Sequence, residues 1–486
     1  MMTQQELEKY LWGAATTLRG TIDAGDYKQY IFPLLFFKRI SDVYDEEFEK
    51  ALAESDGDME YAAFAENHHF QIPEGARWQD VRETTVNIGQ ALQSAMRAIE
   101  QANPDTLQGI FGDASWTNKE RLSDAMLTNL IEHYSQHTLN LANVPDDKLG
   151  NAYEYLIKEF ADDSGHTAAE FYTNRTVVKL MTMIMDPQPG ESVYDPTCGS
   201  GGLLLNCALH LKDEGKEYRT LKLYGQEINL LTSAIARMNM FMHGIEEFEI
   251  VRGDTLANPG LIENGELKKF NVILANPPYS IKSWDRQAFE NDPYGRNLWG
   301  TPPQGCADYA FEQHIQKSLN ENNGRCVQLW PHGILQRISE KDIRAEMIRG
   351  GTVEGVIGLG PNLFYNSAME SCLLIRNNNK DPKRKGKVLF IDAHKLVNRD
   401  NKHAFLEPNH QQLIYSLFKN YEEKDSISKI ITEEQILKNS ASLKVTDYLQ
   451  REVNSGLTLG FDDAFASWDK FSNDFHINMN DWLKKQ

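Results

Sequence analysis

The sequence predicts an α/β fold with a mostly parallel sheet, preceded by an α-helical domain and followed by a helical tail. Three observations carry this. From about Phe160, short β-like runs alternate with helical ones, the pattern of a parallel sheet covered on both faces. One run, Val272-Ile273-Leu274-Ala275, is apolar at every position, as expected of a strand buried on both sides. Several runs also end in turns bearing a carboxylate or an amide, at the strand ends where such sheets receive ligands.

Residues 1–155 read as the helical domain. Leu7, Tyr10, Leu11 and Ala14 share one helical face, and Ile31, Leu34, Leu35 and Ile40 continue the period. Thr85 to Ile99 and Leu122 to Tyr134 read the same way. This part shows no recognisable chemistry and is expected to carry a protein interface. In the second part, 156–395, the expected strands are Ser192 to Asp195, Lys222 to Gln226, Phe248 to Val251, Val272 to Ala275, Cys326 to Trp330, Val353 to Leu359 and Cys372 to Arg376. Helices are expected over Leu230 to His243 and Asp308 to Leu319. Two loops break the alternation: Ser280 to Gly305, long enough to imply a function, and Asn377 to Gly386, whose basic residues read as a solvated connection or a phosphate contact. Residues 396–486 read as polar and helical, with Gln411 to Tyr421 and Glu433 to Lys438 as elements, and form the expected partner-docking tail ending in Trp482-Leu483-Lys484-Lys485-Gln486.

The 486 residues, 41% hydrophobic and 25% charged, are those of an ordinary globular protein of two or three domains. The densest apolar stretch, Tyr30 to Phe37, falls far short of the roughly 20 residues that span a bilayer. The start, Met1-Met2-Thr3-Gln4-Gln5, resembles no secretory signal. Five cysteines without a Cys-x-x-Cys pair argue against a disulfide framework or a zinc site, and a cytoplasmic location is expected. A protein that grips nucleic acid alone normally shows a basic footprint, and with a formal charge of −20 a partner is expected to supply much of that grip.

Four motifs carry chemistry. Asn276-Pro277-Pro278-Tyr279 follows the buried strand directly; two prolines stiffen a turn that presents an amide, carbonyls and an aromatic ring. A plain strand-ending turn is the competing reading. Asp195-Pro196-Thr197-Cys198-Gly199-Ser200-Gly201 is an acid followed by a glycine-rich turn into an apolar helix, where backbone can approach a ligand closely. Its spacing is neither Gly-x-Gly-x-x-Gly nor Gly-Lys-Ser/Thr, which disfavours a dinucleotide or a triphosphate. Glu227 ends the next strand, where a ribose-binding carboxylate belongs, and Asp254 follows another strand; a surface acid and a turn cap are the bland readings of these two.

Together these residues resemble the S-adenosylmethionine-dependent DNA adenine methyltransferases of the Asn-Pro-Pro-Tyr type. Phe171-Tyr172-Thr173 ahead of the glycine loop, and the long helical domain ahead of both, narrow the resemblance to the modification subunit of type I restriction-modification systems. Leu18-Arg19-Gly20, Asp26-Tyr27-Lys28, Leu34 to Asp42, Ala307 to Phe311 and Val356 to Phe364 are similar to other segments of that family. One departure is Tyr172-Thr173-Asn174-Arg175, where the family usually has Phe-Thr-Pro-Arg; Asn still suits a turn and offers a hydrogen bond.

The resemblance implies a Rossmann-like methyltransferase sheet, with S-adenosylmethionine as cofactor and no metal. Glu170, Phe171, Tyr172, Thr173, Asn174 and Arg175 would border the cofactor. Asp195 with Thr197, Cys198, Gly199, Ser200 and Gly201 would hold its methionine part, Glu227 its ribose and Asp254 its adenine. Asn276 and the Pro277 carbonyl would hold the target amino group, with Pro278 fixing the turn and Tyr279 stacking on a flipped base. Implied partners are duplex DNA, a specificity subunit, a second copy of this chain and a restriction subunit. The turn alone suits any planar amino group, so methylation of protein glutamine or RNA guanine remains open at this point, as does a noncatalytic scaffold. A self-sufficient restriction-modification polypeptide is disfavoured, because about 90 residues after Ala393 leave little room for target recognition.

Overall fold

The computed structural model describes residues 2–18, 22, 26–163, 172–363, 369–400 and 404–450. Arg19, Gly20, Glu170, Phe171, Phe364 and the final segment 451–486, all named above, lie outside the described residues.

The chain begins with α1 (Gln4–Thr17), started by a capping box in which Thr3 and Glu6 satisfy each other's backbone N–H groups. α2 (Lys28–Glu54) is buried along the whole stretch Tyr30 to Asp42, so it forms the axis of the helical part rather than one of its walls. α3 (Ile88–Ala102), α4 (Asp124–Tyr134) and α5 (Asp146–Asp163) pack around it. Both expected helices start a few residues later than their apolar period, because Asn87 sits in the left-handed region ahead of α3 and the Ser123 hydroxyl caps α4.

The second part is built on a nine-stranded sheet. In chain order its elements are α6 (Arg175–Met185), β1 (Ser192–Asp195), α7 (Gly202–Asp213), β2 (Lys222–Glu227), α8 (Leu230–Met242), β3 (Phe248–Arg252), β4 (Val272–Ala275), α9 (Asp308–Ser318), β5 (Arg325–Pro331), α10 (Lys341–Arg349), β6 (Val353–Pro361), β7 (Glu370–Asn377), β8 (Lys387–Ala393), α11 (Pro408–Asn420), β9 (Ser428–Thr432) and α12 (Glu433–Lys438). Across the sheet the order is β9-β8-β6-β7-β5-β4-β1-β2-β3. β1 pairs in parallel with both β2 and β4, and β4 with β5, while β7 runs antiparallel between β5 and β6. The chain steps outward from β1 to β3 and returns to β4 on β1's other side. That reversal opens a crevice between the carboxyl ends of β1 and β4.

All seven expected strands are present, and the structure adds two to this sheet, besides two short hairpins, Ile262–Glu263 with Glu266–Leu267 and Asn398–Arg399 with Ala404–Phe405. β8 directly follows the loop read as basic and solvated, and β9 offers only Ile430 and Ile431 inside a polar run, too short a period to read. The expectation of a purely helical region after 395 is corrected accordingly: between α11 and α12 the chain adds β9 to the sheet, antiparallel to β8. The basic loop is also less solvated than expected. Lys380 is buried, its ammonium donating to the Val353 and Lys387 carbonyls at 2.8 Å and facing Glu433, and Arg384 pairs with Glu354 at 3.1 Å.

Met1–Leu449 form a single contact unit, and α8 is the seam within it. Its Ala234, Ile235, Met238 and Met242 join the helical core, while Ala236 and Met240 face the core under the sheet. Among the described residues, no helix is long and apolar enough to cross a membrane.

Candidate active site

The glycine loop leaves β1 at Asp195, which is almost wholly buried. Its Oδ1 accepts the Thr197 N–H at 3.0 Å. Cys198 N–H reaches across to the Gln226 carbonyl at 2.9 Å, and Gly199 N–H donates to Glu227 Oε2 at 3.0 Å, so the loop is laid over the end of β2. Gly199 and Gly201 have φ of 52° and 80°; at Gly201 a Cβ would also lie 2.8 Å from the Met240 methyl. Burial pushes the Asp195 carboxyl up to about 8, an effect that the Thr197 bond opposes and the nearby Glu227 charge reinforces. A buried acid whose charged neighbour is another acid is suited to receive a cation.

Glu227 also accepts the Asn229 N–H through Oε1 at 2.9 Å. A carboxylate with about four lone-pair sites can hold these two backbone bonds and still accept hydroxyl groups. Asp254 Oδ1 takes the N–H groups of Leu256 and Ala257 at 2.9 and 3.1 Å, the turn-capping role. Thr255 Oγ1 then donates to the Pro196 carbonyl at 2.5 Å, tying that turn to the glycine loop. Asp195, the loop 197–201, Glu227 and Asp254 are thereby gathered along the ends of β1, β2 and β3.

The upstream segment Tyr172 to Arg175 enters from the other side. Arg175 makes a two-pronged pair with Glu154 of α5 at 2.5 and 3.0 Å and donates to the Thr173 carbonyl at 3.1 Å. Its guanidinium lies 4.3 Å from the Tyr172 ring centroid. Burial works to raise the Glu154 carboxyl, but Arg175 outweighs it and the net shift is downward. Asn239 of α8 closes the network, bonding Glu154 at 2.8 Å and the Ser200 carbonyl at 3.0 Å. Asn174 caps α6 by accepting the Thr176 N–H at 3.0 Å and donates to the Ala404 carbonyl at 2.8 Å.

The turn Asn276 to Tyr279 leaves β4 between these two groups. The Asn276 amide donates to Thr173 Oγ1 at 3.0 Å, and its oxygen accepts the Tyr279 hydroxyl. Burial holds that hydroxyl protonated, well above the ordinary tyrosine value. The Tyr279 ring lies 6.0 Å from the Trp330 ring, tilted by 56°. Pro277 is buried and Pro278 half-buried. The loop 280–305 is anchored by Arg296, buried against Asp292 at 2.6 Å and bonded to the Thr255 and Leu256 carbonyls.

Sequence reasoning missed the supporting groups Glu154, Asn239, Thr255 and Trp330. Asn239 carried a signal, a lone amide between Met238 and Met240 within an apolar helix. Glu154 carried none, since an acid at that helix position reads as surface.

Asn174 fixes the start of α6 through both ends of its side-chain amide. Asn174→Ala should lower stability by about 1–2 kcal/mol through loss of the cap and the Ala404 bond. With φ at −53° the site accepts proline, whose restriction of the unfolded chain offsets part of that loss. Denaturant midpoints should therefore rank native above Asn174→Pro above Asn174→Ala.

Residues 144–455 match the family described as N-6 DNA Methylase, and residues 7–134 match the HsdM N-terminal domain. The chain is 29% identical over 472 residues to the type I restriction enzyme MjaVII methylase subunit of Methanocaldococcus jannaschii, covering 92% of this chain and 78% of that one. It is 32% identical over 348 residues to the HindI methylase subunit of Haemophilus influenzae, covering 67% and 76%. The crystal structure of a type I restriction-modification methyltransferase subunit from Streptococcus thermophilus superposes with a TM-score of 0.79 at 28% identity, covering 92% of this chain and all of that one. The chain belongs to the N-6 DNA methylase family, as a modification subunit of the type I restriction-modification kind.

Proposed function

We propose that Asn276, Pro277, Pro278 and Tyr279 carry methyl transfer to the N6 amino group of an adenine rotated out of duplex DNA. The observation that supports this best is the Asn276 amide, held by Thr173 at the end of β4, one strand from the buried acid Asp195. S-adenosylmethionine supplies an electrophilic sulfonium methyl group. Asp195 would meet the cationic amino acid end of that cofactor, with Thr197, Cys198, Gly199, Ser200 and Gly201 around it. Glu227 would take the ribose hydroxyls and Asp254 the adenine, bordered by Tyr172, Thr173, Asn174 and Arg175; Glu170 and Phe171 would complete that border.

Adenine's amino nitrogen is a poor nucleophile because its lone pair is delocalised into the ring. Asn276 Oδ1 and the Pro277 carbonyl would hold its two N–H groups and favour the tetrahedral nitrogen that forms in attack. Oδ1 has two lone pairs, so it can accept a base N–H beside the Tyr279 hydroxyl. The Tyr279 ring would stack on the extruded base. The family's description as DNA methylases favours adenine in DNA over protein glutamine or RNA guanine. Duplex DNA, a specificity subunit, a restriction subunit and a second copy of this chain are the proposed partners. The cytoplasm is the proposed location, which five buried free thiols support.

Asn276→Ala should lower transfer of labelled methyl to DNA by at least about 100-fold while leaving cofactor affinity near the native value; substantial methylation by this variant would refute the role. Tyr279→Ala should weaken capture of the flipped base by about 1–3 kcal/mol in a base-extrusion fluorescence assay, and Tyr279→Phe far less. If the two variants behave alike, stacking is the wrong explanation.

Because the Asp195 carboxyl titrates near 8 in the free protein, it holds its proton at pH 7. Its raised value costs the free fold stability as pH climbs from about 4 toward 8, whereas a bound cation favours the ionised form. Cofactor binding at pH 7 should therefore release a proton, read in calorimetry as a heat that varies with the buffer. The variation should vanish in Asp195→Asn. Without partners, the chain of charge −20 should bind duplex DNA weakly in fluorescence anisotropy; tight sequence-specific binding by the chain alone would overturn the assignment of DNA recognition to a partner.

A further inference from the structure

The residue after the catalytic turn is in an uncomfortable conformation. Ser280 has φ of 51°, in the left-handed region that favours glycine, and its side chain is exposed. Pro277 and Pro278 have fixed φ, so the turn can relax only at Tyr279 and Ser280, and Ser280 carries the left-handed backbone. Something must hold it. Its N–H donates at 2.7 Å to Oδ1 of Asp308, the fully buried first residue of α9.

Asp308 is itself pinned. Its Oδ2 accepts from Arg337 Nη2 at 2.5 Å, and the same guanidinium reaches Glu340 at 3.1 Å and lies against Cys306. These three buried side chains have the spacing of a metal-ligand set, and the Arg337 cation is what sits among them. One turn further along α9, Glu312 accepts the Trp330 indole N–H at 2.5 Å and pairs with Arg376 at 2.6 Å. Trp330 is the ring beside Tyr279. α9 thus grips the turn twice, at the backbone behind Tyr279 and at the aromatic beside it.

We propose that Asp308 is a positioning residue for methyl transfer: its bond to Ser280 N–H locks the left-handed backbone that aims Tyr279 at Asn276. A charge-assisted bond in a buried site is strong enough for this. Without it Ser280 would fall back to negative φ, and Tyr279 would swing off the position from which it meets both Asn276 and the base. The inference rests on the roles proposed above for Asn276 and Tyr279.

The test uses the full-length chain with its DNA-recognition partner, with kcat from labelled methyl incorporation and cofactor affinity from calorimetry. Asp308→Ala should lower kcat by about 100-fold with cofactor affinity unchanged. Adding Ser280→Gly to that variant should restore about tenfold, because glycine holds positive φ without help. Asp308→Asn, which keeps an acceptor for Ser280, should lose much less than Asp308→Ala. Ser280→Val leaves Asp308 in place, gives up only the weak bond from the Cys306 thiol at 3.9 Å, and should by itself lower kcat by at least about tenfold, so the question is answered even where Asp308→Ala folds poorly. An Asp308→Ala enzyme at the native rate, a loss that Ser280→Gly leaves untouched, or a fully active Ser280→Val would each overturn the proposal. Failure of the native complex to methylate adenine would instead overturn the function on which it rests.

Discussion

An amide side chain keeps its oxygen aimed one way when its nitrogen is held elsewhere, and in this protein Thr173 holds it. The 3.0 Å bond from Asn276 to Thr173 joins two segments more than a hundred residues apart. Thr173 is in turn fixed by Arg175, and Arg175 by a carboxylate from the helical part. The orientation of one amide therefore depends on α5, α6 and β4 meeting correctly. The half-buried Arg175–Glu154 pair is held by several bonds on each side, and removing either partner would leave the other's charge partly desolvated and unpaired.

The neighbourhood shows how a sheet turns sequence-distant residues into a site. Asp195, Glu227 and Asp254 each do ordinary backbone work in the free protein, accepting N–H groups from their own turns or from the glycine loop. The same bonds shape the crevice. Three acids brought together at adjoining strand ends create a negative site, consistent with a cationic ligand, and burial of Asp195 keeps part of that charge masked by a proton until such a ligand arrives.

Much of this was legible in the sequence, because strands buried on both faces and turns rich in proline or glycine have unmistakable local patterns. The positions of the turns after β1, β2, β3 and β4 could be read, because each follows a short strand-like run directly. What could not be read was whatever depends on tertiary meeting. β9 has no more than two apolar residues, and its pairing with β8 decides its conformation. Lys380 sits in a run that looks solvated, yet two carbonyls and a carboxylate draw it inside. Glu154 and Trp330 belong to elements with no local mark of function; their roles exist only because α5 and β5 pass the site.

The seam helix α8 has a consequence for how the molecule comes apart. One face of it completes the helical core and another completes the core beneath the sheet, and Asn239 between them bonds the glycine loop. Losing either core would uncover apolar surface on a helix the other still needs. The packing of α8 therefore links the stability of the two halves, and Asn239 joins that link to the glycine loop.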